Sequence, residues 1–347
     1  MPLRSSRGSF RILFVVAMCL AVTADAAPFG LVLSGGGARG AYEVGVWQEL
    51  QAAGLASRVM AISGTSVGAI NAALFAVRTE SAERIWLEKM DGIFLVNTNR
   101  VGESLQKTLD DASKAIEVAK ETGEDWKGLV SFALKLGFRI GAASIEAEPR
   151  TGYIDSSMLA EALDETLPQT WPVASPAVYA TAVESMAGVS KTWRLNAESH
   201  ARRVLMLRAS AAIPLGFDSV KIDGKVYVDG GWEANGGNNV PLRPILDHHP
   251  EIKTAFVVYL KDERHLDSSR RAKNREDAAA HGVRLVEIVP SEDISGAFGV
   301  GGVFDTSPET VRRLIDLGRR DARKALAEYG EACSLPASPM SDTGRKS

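Results

Sequence analysis

The 347-residue chain has only two cysteines, and one of them, Cys19, lies in an apolar N-terminal stretch. If that stretch is removed, Cys333 stands alone. No intramolecular disulfide can then staple the fold, and stability must come from a packed core. Histidine is sparse as well: His200, His248, His249, His265 and His281 are the whole set. No Cys/His group has the spacing of a zinc site, so the sequence predicts no structural metal, and nothing in it calls for a cofactor. Aromatic residues make up 7% of the chain and the formal charge is -3. That balance gives no basic stripe for nucleic acid. Internal repeats of solenoid period are absent too.

Long hydrophobic runs are scarce, and the most prominent is N-terminal. Arg4, Arg7 and Arg11 precede an uninterrupted apolar run from Ile12 to Val22, and Ala24-Asp25-Ala26 follows. A basic region, a short apolar region and small residues at a cleavage point make a secretory signal peptide over residues 1–26. The run is too short for an ordinary spanning helix, although an uncleaved anchor is the competing reading. The expected location is therefore outside the cytoplasm: periplasmic, outer-membrane-associated or secreted.

The rest reads as one α/β domain over residues 27–332. Phe29–Leu33 is a buried strand, a glycine loop follows, and a helix runs from about Ala41 to Ala53 with Gly54 as its C-cap. Val59–Ser63 is a second strand and Ser66–Val77 a second helix. This alternation belongs to a parallel sheet. Residues 80–150 form a charged helical excursion without a convincing strand. Strands resume at Ala177–Val183, Thr192–Leu195, Lys225–Val228, Thr254–Leu260 and Arg284–Val289, and Pro308–Tyr329 closes the domain as an amphipathic helix. Residues 333–347 read as a disordered tail.

The first loop, Ser34-Gly35-Gly36-Gly37-Ala38-Arg39-Gly40, satisfies the glycine pattern of a dinucleotide turn. Such a fold needs an acidic residue about 20 positions further on to hold the ribose. Here no Asp or Glu occurs between Glu49 and Glu80. The second strand ends instead in Gly64-Thr65-Ser66-Val67-Gly68, the G-x-S-x-G of a nucleophile elbow. Flanking glycines admit the sharp turn, and the following helix N-terminus favours developing negative charge. The glycine loop then has another use: its backbone amides suit the oxyanion of an acyl-transfer intermediate.

None of the five histidines has a strand-end or glycine-rich context that suits a base. They read as surface or helix-cap residues. Asp229 does have such a context, closing Lys225-Val226-Tyr227-Val228 and opening Asp229-Gly230-Gly231, although D-G is also a common hairpin signal.

Taken in order, SGGGARG, GTSVG and DGG resemble the patatin-like phospholipase family. Gly152-Tyr153-Ile154-Asp155, Arg208-Ala209-Ser210-Ala211-Ala212-Ile213-Pro214 and Asn239-Val240-Pro241 strengthen the resemblance, which covers roughly residues 29–330. It implies an α/β three-layer fold with a mostly parallel central sheet flanked by helices. It also implies a Ser-Asp dyad without a catalytic histidine, Ser66 as nucleophile and Asp229 as general base. Gly35, Gly36, Gly37 and Arg39 would belong to the oxyanion loop, with Gly40, Gly64, Gly68, Gly230 and Gly231 as motif glycines. Asn235-Gly236-Gly237-Asn238 is a longer link than the family usually has between DGG and Asn-x-Pro.

The implied activity is hydrolysis of fatty-acyl esters of membrane lipids, with phospholipid or another acyl lipid as partner and no metal. Two readings compete: an esterase or thioesterase acting on soluble esters, and a lipid-binding protein without turnover. Trp126, Leu129, Val130, Ala133, Leu134 and Ile140 trace one helical face, with Lys127, Lys135 and Arg139 on the other. A helix over Trp126–Ile140 suits either a cap packed on the domain, the commoner use of such faces, or transient contact with a bilayer.

Overall fold

The computed structural model describes residues 27–77, 82–90, 93, 154–214, 216–295 and 303–334. Residues 1–26, where a signal peptide is expected, nearly all of the 80–150 excursion including Trp126–Ile140, and the residues from 335 lie outside the described residues.

Eight strands form one sheet: β1 (Phe29–Leu33), β2 (Val59–Thr65), β3 (Ala177–Glu184), β4 (Val189–Arg194), β5 (Val220–Ile222), β6 (Lys225–Asp229), β7 (Thr254–Val258) and β8 (Arg284–Ile288). Their order is β5-β6-β3-β2-β1-β7-β8, with β4 paired to β3. β3, β2, β1, β7 and β8 run parallel. β4, β5 and β6 join through antiparallel pairings. The helices are α1 (Ala41–Ala52), α2 (Val67–Ala76), α3 (Ala82–Glu88), α4 (Ser156–Thr166), α5 (His200–Ser210), α6 (Arg243–His248), α7 (Ser268–Ala280) and α8 (Pro308–Ser334).

The near-continuous apolar strands follow from burial on both faces. Leu31, Leu33, Ile62, Val178 and Phe256 join the larger core beneath α1, α2, α5 and α8. Their neighbours Val32, Ala61, Tyr179, Ala255 and Val257 point into a second core with Leu242, Ile245 and Ala278 from the α6–α7 side. Side chains alternate across the pleat, so one sheet serves two helical layers.

Local signals set the element ends. Gly54 lies at φ 71° just beyond α1. Its N–H donates to Gln51 O and that of Leu55 to Leu50 O, as a left-handed residue at a helix end permits. α8 crosses α1 closely because small residues face each other. A Cβ on Gly45 would sit 2.0 Å from Ile315 O, and one on Gly318 2.0 Å from Tyr42 O. Strand β5 carries no apolar run long enough to mark it in the sequence. It has three residues, and Asp223-Gly224, both at positive φ, turn it into β6. The closing helix also runs past the expected Tyr329 to Ser334.

The decisive topological feature lies on one edge of β3. β2 pairs with its first half, Thr65 opposite Thr181, and β6 pairs antiparallel with its second half, Asp229 opposite Ala182. β4 occupies the other edge. The C-terminal ends of β2 and β6 therefore meet head to head, and whatever follows Thr65 abuts Asp229.

Candidate active site

Ser66 follows Thr65 directly and is the N-cap of α2, at φ 55° and ψ -128°. A non-glycine residue in that region of backbone space stores strain, of order 1–3 kcal/mol, and persists only where its surroundings impose it. Here they do. The Ser66 N–H donates to Ser210 Oγ at 2.9 Å, and that hydroxyl donates to Thr181 O at 2.6 Å. The helix also approaches the strands too closely for side chains at the flanking glycines: a Cβ on Gly64 would lie 2.2 Å from Gly68 O, and one on Gly68 2.5 Å from Leu33 O.

The segment that braces Ser66 also braces Asp229. The Asp229 N–H donates to Ala212 O at 2.8 Å and the Gly230 N–H to Ser210 O at 3.2 Å. Asp229 is buried, with Oδ1 accepting from the Gly231 N–H at 2.7 Å. The Ser66 hydroxyl is near enough to draw the carboxyl pKa down, yet no full hydrogen bond forms and buried Oδ2 has no partner. Loose contact of this kind is common before substrate arrives. Burial outweighs both interactions, and the Asp229 pKa is pushed up from 3.8 to about 6.

The glycine loop stands beside Ser66 on the neighbouring strand β1. Gly37 lies at φ 60°, and a Cβ there would strike Val303 O at 2.3 Å. The amides of Gly36 and Gly37 donate to no group among the described residues. Gly35 differs from the expectation that grouped it with them. Its N–H donates to Asn239 Oδ1 at 3.1 Å, while Asn239 Nδ2 donates back to Gly35 O at 3.2 Å. Gly35 is thus committed to holding the loop in place. Arg39 is buried, its Nε donating to Gly36 O at 3.0 Å, and burial lowers its pKa.

The long link after Asp229 is a compact return. Gly236 takes φ 76°, and the Asn238 N–H donates to Gly230 O at 2.7 Å, which brings Asn239 back to Gly35. Ser210 and Asn239 are the residues whose roles the sequence did not assign, although both lie in quoted motifs.

Gly35, Gly36, Gly37, Arg39, Ser66, Asp229, Gly231 and Asn239 line one open cleft. No histidine lines it. His249 is the C-cap of α6 and meets Tyr179 Oη at 3.0 Å, while His200 is buried and meets Asp164 at 2.8 Å. Distant segments supply both partners. Among the described residues, Asp262, His265 and Asp293 bring ligand-type atoms within 4.8 Å of one another. Arg264 already bonds Asp262 at 2.7 Å and lies 3.4 Å from Asp293, so a guanidinium occupies the cation's role there.

A family model described as patatin-like phospholipase matches residues 31–246. No curated protein matches the chain. Solved structures with a similar chain trace include VipD from Legionella pneumophila, at 15% identity and TM-score 0.40, over 88% of this chain and 68% of that one. ExoU in its complex with SpcU from Pseudomonas aeruginosa matches at 17% and 0.39, over 88% and 52%. Human GIVD cytosolic phospholipase A2 matches at 10% and 0.39, over 90% and 65%. The chain therefore spans between half and about two thirds of these larger proteins.

Proposed function

The chain belongs to the patatin-like phospholipase family, and from that premise we propose that it is a lipid acyl hydrolase working through Ser66 and Asp229. The observation that carries the reading is a strained serine sharing one cleft with two uncommitted backbone amides and a buried carboxylate whose Oδ2 has no hydrogen-bond partner.

The steps follow from the atoms. Asp229 Oδ2 takes the Ser66 hydroxyl proton as Oγ attacks the ester carbonyl carbon. The amides of Gly36 and Gly37 receive the oxyanion, aided by the N-terminus of α2. Collapse breaks the ester C–O bond, and the departing alkoxide takes the proton from Asp229. Water then gives a proton to Asp229 and attacks the acyl-serine. The second collapse releases the fatty acid and returns the proton to Ser66 Oγ. An ordinary aspartate is a poor base near neutrality, and a carboxyl raised to about 6 is a better one.

Export by the N-terminal segment and a membrane lipid as substrate complete the proposal. Among the described residues no helix is long and apolar enough to cross a bilayer. A fluorophosphonate probe tests the nucleophile: it is expected to label Ser66 in the unmodified chain and to leave Ser66→Ala unlabelled. Absent or misplaced labelling would overturn the assignment. Labelling together with turnover of soluble esters alone would favour the esterase reading instead.

A further inference from the structure

Ser66 stands where two unlike clefts meet. On one side a narrow pocket is lined by apolar groups, among them Val67, Ile70, Met90, Leu159 and Phe217. On the other side the larger cleft carries Arg39, Glu233, Asn239 and Lys261. An ester whose carbonyl carbon rests at Ser66 would turn its acyl chain toward the apolar side and its alcohol portion toward the polar one. The chemistry of the second cleft then selects the alcohol.

Most of its polar groups are already engaged. Asn239 is bonded to Gly35 in both directions. Arg39 is tied to Gly36 O and feels the charge of Asp293. Glu233 has Arg270 at 4.0 Å. Lys261 remains: it lines the cleft, and among the described residues its ammonium makes neither a hydrogen bond nor an ion pair. An ammonium that lines the cleft without a counter-ion is free to pair with an anion carried by the alcohol portion. Resting on the Ser66 reading, we propose that Lys261 is the specificity-determining residue for the leaving alcohol. It pairs with the headgroup phosphate of a glycerophospholipid and so selects that lipid over a neutral acylglycerol.

The test separates this inference from the one beneath it. Ser66→Ala protein, which binds without turnover, is titrated calorimetrically with dihexanoyl phosphatidylglycerol and, separately, with dihexanoylglycerol. Lys261→Met in that background is expected to lower the ratio of phospholipid to diacylglycerol affinity about tenfold, as loss of a charge-assisted hydrogen bond would. Lys261→Arg is expected to restore most of the ratio. An unchanged ratio, an equal fall for both lipids, or no binding of either would overturn the proposal. So would Lys261-dependent binding of inorganic phosphate as strong as that of the phospholipid, which would make the cleft a free-anion site. Failure of the fluorophosphonate to label Ser66 is a separate result and bears on the nucleophile alone.

Discussion

Asp229 should make one titration visible in two observables. Its pKa stands near 6 rather than 3.8, chiefly because it is buried. In the proposed role of general base it works ionised, so kcat/KM is expected to rise through an apparent pKa of about 6 and to be about tenfold below its plateau at pH 5. The same shift affects stability. Below 3.8 both folded and unfolded chains carry the proton and the effect vanishes. As pH rises the unfolded chain releases its proton first, so stability falls until the folded pKa is passed. The full loss is about 3 kcal/mol, of which about 1.5 kcal/mol is already lost at pH 5. Asp229→Asn keeps the Oδ1 acceptor for the Gly231 N–H and carries no charge. It should abolish turnover yet exceed the unmodified chain in stability by about 1.5 kcal/mol at pH 5 and about 3 kcal/mol at pH 8. Urea unfolding at the two pH values, beside a kcat/KM profile, measures both. A flat activity profile between pH 5 and 8, or a less stable Asn variant at pH 8, would refute the reasoning.

Two further perturbations probe what holds the site. Ser210→Ala strips a partner from the Ser66 N–H and another from Thr181 O. It should cost about 2–4 kcal/mol in urea unfolding and lower kcat about tenfold as the strained turn relaxes; unchanged stability and kcat would show that the serine braces nothing. Glu43 is fully buried, its pKa raised well above the usual carboxyl value by desolvation, with Oε2 accepting from Asn71 Nδ2 at 2.8 Å. Because the folded pKa is raised, its stability contribution falls as pH climbs above the unfolded value. Glu43→Gln should therefore be stabilising at pH 8 and progressively less so toward pH 5. Glu43→Ala should cost about 2 kcal/mol or more, through the cavity and the lost Asn71 contact. Equal melting temperatures for the two variants would contradict a neutral buried carboxyl.

The parts of the site that the sequence disclosed are those built from neighbours along the chain. The glycine loop and the elbow each occupy a few consecutive residues at a strand–helix junction, where turn chemistry is local. Asp229 was legible as a strand-end carboxylate before two glycines. Its meeting with Ser66 was not, because that depends on β6 entering the sheet above the end of β2. Asp229-Gly230 carries a D-G hairpin signal, whereas the hairpin turn is at Asp223-Gly224, six residues earlier. Ser210 and Asn239 act on partners more than 140 residues away, beyond any periodicity. His249 caps the end of α6, as a histidine at a helix end can, while its contact with Tyr179 and that of His200 with Asp164 depend on distant segments.

Release of fatty acid from phospholipid vesicles by the chain lacking residues 1–26, with Ser66→Ala alongside, tests the central claim most directly. The account predicts release that disappears in the variant while its unfolding profile is retained. Equal release from both proteins would contradict Ser66 as the nucleophile, and none from either would contradict membrane phospholipid as the substrate.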